Sequence, residues 1–228
     1  MDFFEQKFTA ESLLEGQLFL IDKPLGWTSF QVVNKIRWYL KNETGLKKLK
    51  VGHAGTLDPL ATGLLLICTG KKTKSIETYQ MQAKEYTGTL CLGATTPSYD
   101  LETERNQTYP IKHITPQQII EVSSKFVGEI EQYPPLFSAL KKSGKRLYEY
   151  AREGSKPEIK PRQVLISKFE IKKITLPQID FLVQCSKGTY IRSLAHDFGK
   201  ALLSGSHLIS LQRTKIGDLC LTNAFHMK

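Results

Sequence analysis

His53 and Asp58 lie five positions apart in a segment bracketed by Gly52, Gly55 and Gly63. The glycines let the backbone take positive φ or approach another chain closely. Pro59 pushes Asp58 towards an extended conformation and stiffens the tip. A carboxylate held on a rigid loop that enters an apolar strand can serve as a nucleophile or a general base. Taken alone, an Asp-Pro pair is equally a structural turn, and His53 a locally satisfied loop histidine. Cys68, Cys91, Cys185 and Cys220 are far apart and form no CxxC pair, which argues against a finger-type zinc site. Each lies in an apolar, strand-like run and reads as a buried free thiol of a reducing cytosol.

The elements that must position these groups follow from patterning. Leu18-Phe19-Leu20-Ile21 reads as a buried strand ending in the turn Asp22-Lys23-Pro24-Leu25-Gly26. Thr28-Ser29 offers a helix cap, and Val32, Val33, Ile36 and Leu40 recur at helical spacing. A basic stretch, Lys47-Lys48-Leu49-Lys50, leads into the glycine-bracketed loop, and Gly63 to Cys68 reads as a buried strand. Tyr86 to Gly93 reads as another strand. Thr115-Pro116-Gln117-Gln118 opens a helix expected to run through Ile119, Val122, Phe126 and Val127 and to stop at Tyr133-Pro134-Pro135. Strands are expected near 164–174 and 179–186, a helix from Tyr190 through Leu194, Phe198, Ala201 and Leu202, and last strands at 208–211 and 216–221. Without a regular βαβ rhythm or a Gly-x-Gly-x-x-Gly fingerprint, the pattern predicts an α+β fold around a mixed or antiparallel central sheet flanked by helices.

Lys and Arg number 32 against 22 Asp and Glu, a formal charge of +10. Such a balance suits a polyanionic partner, nucleic acid being the commonest, or simply a basic soluble protein. With 40% hydrophobic residues the chain has the means to build a core. The N-terminus lacks a signal-peptide pattern and no apolar run is long enough to span a membrane, so a cytoplasmic protein with no membrane association is expected.

The string Gly52-His53-Ala54-Gly55-Thr56-Leu57-Asp58-Pro59-Leu60-Ala61-Thr62-Gly63 resembles the catalytic motif of the TruB-type pseudouridine synthases. Four further segments resemble that family in the family's order. They are Asp22 to Ser29, Lys84 to Gly88 with Leu92-Gly93, Pro134-Pro135-Leu136-Phe137-Ser138-Ala139-Leu140-Lys141, and Ser186-Lys187-Gly188-Thr189-Tyr190-Ile191-Arg192-Ser193-Leu194. The likeness covers about residues 18 to 215. It implies a pseudouridine-synthase fold and an isomerase that converts uridine 55 in the T-loop of tRNA to pseudouridine.

By position, the resemblance makes Asp58 the essential aspartate, Tyr86 the tyrosine that stacks on the flipped uracil, and Arg192 the arginine that pairs with the aspartate. It makes His53 the residue filling the space the base leaves, and Leu211 an apolar wall of the pocket. Tyr190 and Lys23 become supporting residues. Outside the motif, Tyr86 would read as core, Arg192 as a surface arginine and Lys23 as a solvated turn residue. The segment 134–162 resembles the family's RNA-contacting insertion. Its cations include Lys141, Lys142, Arg152 and Lys156, with Tyr148 and Tyr150 interleaved, and its alternative is a solvated charged helix. The turn Pro97-Ser98-Tyr99-Asp100 is a loose version of the family's Thr/Asp-rich turn and says little about catalysis.

The reaction breaks the N1–C1′ bond, turns the uracil and joins C5 to C1′. It has no redox or hydrolytic step, so no cofactor or metal is expected. Asp58 could attack the sugar, attack the base or remove a sugar proton. The target uridine must leave its stack. A single catalytic domain spanning 1–228 is expected, without a full C-terminal PUA domain, acting as a monomer with no obligate protein partner. Two rivals stand beside this reading: a guided synthase working within a ribonucleoprotein, and an RNA-binding or tRNA-folding protein whose catalysis is incidental.

Overall fold

Thr28 starts the first long helix with a capping box, its hydroxyl accepting from the Gln31 amide and the Gln31 side chain returning to the cap backbone. The helix, Ser29–Thr44, buries Val32, Val33, Ile36 and Leu40 on one stripe and ends at Gly45, whose φ is 69°. This is a computed structural model of the chain, and it describes residues 1–155 and 157–227. Lys156, one of the insertion's cations, lies outside the described residues, as does Lys228.

In chain order the strands are β1 (Leu18–Lys23), β2 (Val51–Ala54), β3 (Ala61–Thr69), β4 (Lys84–Leu92), β5 (Ala94–Thr95), β6 (Gln107–Thr108) and β7 (Gly128–Gln132). Then follow β8 (Lys141–Lys142), β9 (Lys145–Arg146), β10 (Arg162–Thr175), β11 (Gln178–Cys185), β12 (Ser206–Ile216) and β13 (Leu219–Cys220). The helices are α1 (Ala10–Glu15), α2 (Ser29–Thr44), α3 (Ile76–Met81), α4 (Pro116–Lys125), α5 (Leu147–Arg152) and α6 (Ile191–Ala201). The expected α+β class with a mixed sheet is what forms.

Two compact units divide the chain: residues 1–86 with 211–228, and residues 87–210. In the first, β3 pairs antiparallel with β1 and β2 and parallel with the end of β12. The strand β3 is apolar on both faces, as a central strand must be. Its Leu65 and Ile67 join Phe19, Ile21, Val32, Ile36 and Leu40 in one core cluster, and Leu64 and Leu66 join Ala54, Ile216 and Ala224 in another. Phe3 sits in the first cluster with ring contacts to Phe4, Phe8, Phe19, Tyr39 and Phe225. A phenylalanine fully buried in this way contributes roughly 1.5–3 kcal/mol relative to an exposed one.

The second unit pairs β10 antiparallel with β11 and with β7. Residues 179, 181, 183 and 185 of β11 face inward by strict alternation. Phe126, Phe169, Phe181 and Phe198 form its aromatic centre.

Several boundaries differ from expectation. Helix α4 ends at Lys125, because the chain turns at Gly128 (φ 114°) into β7, so Phe126 and Val127 are outside it. Residues 51–54 are a strand paired to β3 rather than loop. The two expected late strands are instead one long strand, β12, followed by a two-residue return. Cys220 is half-buried, unlike the other three cysteines, because it sits on that short edge return. Among the described residues, no helix is long and apolar enough to cross a membrane.

Candidate active site

In the first unit, burial alternates along β1 so that Phe19, Ile21 and Lys23 share the inward face. Lys23 is therefore fully buried, and its ammonium donates to the carbonyls of Pro24 (3.0 Å), Trp27 (2.6 Å) and Pro59 (3.3 Å). Its pKa falls to about 8, chiefly by burial. Asp58 pulls that value back up, Arg213 pushes it down, and Asp22 raises it.

Asp58 sits half-buried in the turn between β2 and β3. Its carbonyl accepts from Ala61 N at 3.1 Å, and Gly26 N donates to Pro59 O at 2.8 Å. One residue earlier, Leu57 is locked to the first residue of α2. Ser29 Oγ accepts from Leu57 N (2.9 Å) and donates to Leu57 O (3.2 Å).

Arg213 completes the frame. It is 1% exposed, and its guanidinium donates through Nε to Leu64 O (2.7 Å) and through Nη2 to Gly55 O (3.0 Å). These two carbonyls bracket the Asp58 turn on either side. Gly63 pairs with Lys23 on one side and Arg213 on the other. Its φ is 96°, and a side chain there would start 2.4 Å from Arg213 O, so the position leaves room for glycine alone. A carboxylate loop is thus framed by two buried cations, Lys23 and Arg213.

The other expected residues of this unit are placed as follows. His53 lies half-buried on β2, and burial holds its imidazole below the ordinary value, against a backbone hydrogen bond at Gly55. Leu211 pairs with Ala61, just past the Asp58 turn. Tyr86 is buried on β4.

Arg192, Tyr190 and the insertion belong to the second unit. The α6 start is held by a buried glutamine: Gln132 accepts from Tyr190 N (2.7 Å) and donates to Tyr190 O (3.1 Å). At the second residue of α6, Arg192 is buried. Its Nη1 donates to Ser98 O (3.1 Å), its Nη2 to Phe137 O (3.0 Å), and its Nε lies 3.6 Å from Asp100 Oδ2. The turn 97–100 therefore has a definite task, gripping the motif arginine, which its residue types alone do not announce.

The insertion is neither a bare loop nor one charged helix. Ser143 (φ 52°) and Gly144 (φ 82°) turn β8 into β9, as a two-residue hairpin requires. The short α5 then anchors through buried Leu147. Arg146 and Arg152 lie over the Tyr148 ring at 5.8 and 5.3 Å, and Lys145 over Tyr150 at 4.8 Å. Lys141 and Arg152 are exposed, while Lys142 is half-buried and donates to Glu158 O.

Three features escaped the sequence. Arg213 reads there as an ordinary strand cation, although it lies two residues beyond Leu211 and hence on the same strand face. Asp100 is separated from Arg192 by too much chain for spacing to join them. The first unit also carries a groove of about 670 Å³ whose lining includes Arg37, Lys41, Lys48, Lys50, Lys71 and Lys74. The basic stretch before the Asp58 loop supplied only part of that signal.

Comparison with known proteins agrees with these motifs. The model of the TruB family pseudouridylate synthase (N terminal domain) matches residues 41–191. The tRNA pseudouridine synthase B of Flavobacterium johnsoniae is 65% identical over 217 residues, covering 95% of each chain. That of Phocaeicola vulgatus is 54% identical over 214 residues, covering 94% of this chain and 91% of its own. Among solved structures, a chain in the crystal structure of a Cbf5-Nop10-Gar1 complex superposes with a TM-score of 0.67 at 30% identity. The match covers 91% of this chain and 51% of that one, so this chain spans about half the length of its structural neighbour.

Proposed function

The chain belongs to the TruB family of pseudouridylate synthases, and from that premise we propose how its own residues carry the reaction. It has the pseudouridine-synthase fold and is a tRNA pseudouridine synthase, an isomerase. The proposed target is uridine 55 in the T-loop.

Asp58 is the catalytic carboxylate. The observation that carries this assignment is the frame around it: Ser29 on Leu57, Arg213 on Gly55 and Leu64, and the buried Lys23 ammonium whose charge Asp58 stabilises. Preorganised charge of this kind costs little reorganisation when the reaction occurs. The uridine flips out of its stack, at a cost on the order of a few kcal/mol. Stacking on Tyr86 offsets that by roughly 1–3 kcal/mol. His53, neutral at pH 7 by its burial, fills the space the base leaves, and Leu211 lines the pocket. Arg192 is the guanidinium of the reaction, with Tyr190 supporting it at the helix start.

Breaking N1–C1′ and making C5–C1′ is an isomerisation: C5 gives up its proton and N1 takes one up, so the C5 hydrogen is exchanged with solvent and every atom is accounted for. The chemistry asks for no cofactor. Phosphates of the T-arm meet Lys141, Lys142 and Arg152 of the insertion and the six cations of the first unit's groove. In this reading the chain works in the cytoplasm as a single catalytic protein, a monomer without an obligate protein partner.

Because C5 loses its hydrogen, turnover is read as tritium release from a tRNA transcript labelled at uridine C5. Asp58→Asn is expected to abolish release while filter binding of the tRNA stays within about threefold of the parent, since the loss falls on the transition state and not on binding. Turnover retained in Asp58→Asn would sink the mechanism.

A further inference from the structure

The turn that grips Arg192 is itself held in an unfavourable backbone shape. Tyr99 has a φ of 65°, a region that bulky L-residues rarely occupy. Its two neighbours both hold the arginine, Ser98 through its carbonyl and Asp100 through its carboxylate, alongside the Phe137 carbonyl. Such strain persists only where the surroundings over-determine it. Here the Tyr99 carbonyl accepts from Leu208 N at 2.9 Å, its amide donates to Thr96 O at 3.2 Å, and Thr96 Oγ1 donates to Asp100 O at 2.7 Å.

One further contact is made by side chains. The ring of His196 stacks on that of Tyr99, centroids 4.0 Å apart and planes 16° from parallel. His196 stands one helical turn after Arg192 on α6, so one face of the helix meets both the backbone and the side chain of the same turn. Its Nδ1 is buried with no hydrogen-bond partner among the described residues, so stacking rather than hydrogen bonding at that nitrogen fixes the ring. Burial, with Lys200 beside it, keeps the imidazole below its ordinary pKa, and the ring stacks as a neutral aromatic.

We propose that the Tyr99–His196 stack is a positioning device for Arg192: it holds the 97–100 turn in its left-handed shape so that Ser98 O and Asp100 keep the guanidinium in place. His196 and Tyr99 are then positioning residues, acting through Arg192 and not on the nucleotide. The inference rests on the reading that Arg192 serves the reaction, and its test separates the two.

The measurement is kcat and KM for tritium release, with thermal melts of each variant. His196→Ala is expected to lower kcat about tenfold or more with KM within about twofold, because misplacement of a reacting group falls on kcat. His196→Phe, which keeps a flat aromatic ring, returns kcat to within about twofold of the parent. Tyr99→Gly relieves the backbone strain while removing the stack, so its melting temperature holds as kcat falls. In an Arg192→Ala background, His196→Ala is expected to add no further loss.

Parental kcat in His196→Ala, alongside an inactive Arg192→Ala, would overturn the stack's role and leave Arg192's intact. Equal loss in His196→Phe and His196→Ala would also overturn it. Parental kcat in Arg192→Ala would overturn both readings.

Discussion

Lys23 keeps its proton at neutral pH against the pull of its burial. With a folded pKa of about 8 beside an unfolded value of 10.5, raising the pH through 8 removes a positive charge next to Asp58. Pseudouridine formation is expected to decline on the alkaline side with a midpoint near that value. Lys23→Arg, whose guanidinium keeps its proton, should move the limb to higher pH. Stability runs the other way. The unfolded chain holds this proton where the folded chain has released it, so the lysine's contribution to stability rises from pH 8 to 10.5. Activity loss with unchanged or increased stability separates this titration from alkaline unfolding. An alkaline limb identical in Lys23→Arg would detach Lys23 from the reaction. At this scale the family was legible because its motif strings restrict residue types. Asp58, Tyr86 and Arg192 stand in strings that chance rarely assembles. Arg213 and Asp100 were not legible, since each acts through a contact between segments that no spacing rule connects.

At the scale of elements, local signals served well where one physical cause dominated. The Thr28–Gln31 box and the stripe Val32, Val33, Ile36 and Leu40 specify α2, and inward alternation on β1 carries Lys23 into the interior. Patterning failed where two causes competed. Phe126 and Val127 continue the apolar spacing of α4, yet Gly128 and the pairing of β7 with β10 take the chain out of the helix. Residues 51–54 hold Gly52 and His53 and read as loop, but pairing with β3 makes them a strand. The cationic groove also belongs to this scale, because α2, the segment before β2 and the turn after β3 each supply part of it. Replacing Lys41, Lys48 and Lys71 together by glutamine is expected to weaken tRNA binding. The slope of log affinity against log salt should shrink by about 0.7–0.9 for each phosphate that these lysines no longer neutralise. An unchanged slope in filter binding would remove the groove from the RNA interface.

For the whole molecule, the sequence suggests a single domain and no linker. The division into units leaves no mark in composition because the chain passes from one unit to the other within strands β4 and β12, not through a glycine- or proline-rich tether. The first unit is discontinuous: its sheet and core need residues after 210. Arg213, the pairing of Leu211 to Arg213 with β3, and the Phe225–Leu20 backbone bond all come from that later segment. A chain ending at Ser210 is therefore expected to lose hydrogen-exchange protection across β1, β2 and β3. Full protection of those amides in the shortened chain would show that the early segment folds by itself.

The bracket that Arg213 places on either side of the Asp58 turn also sets a schedule. During translation the aspartate emerges well before the arginine, and until residue 213 arrives the carbonyls of Gly55 and Leu64 lack the donor that holds them. A nascent chain still attached to the ribosome, surrounded by ribosomal uridines, thus carries its acid in an unfinished loop. The frame around the Asp58 turn is complete only once residue 213 has been made.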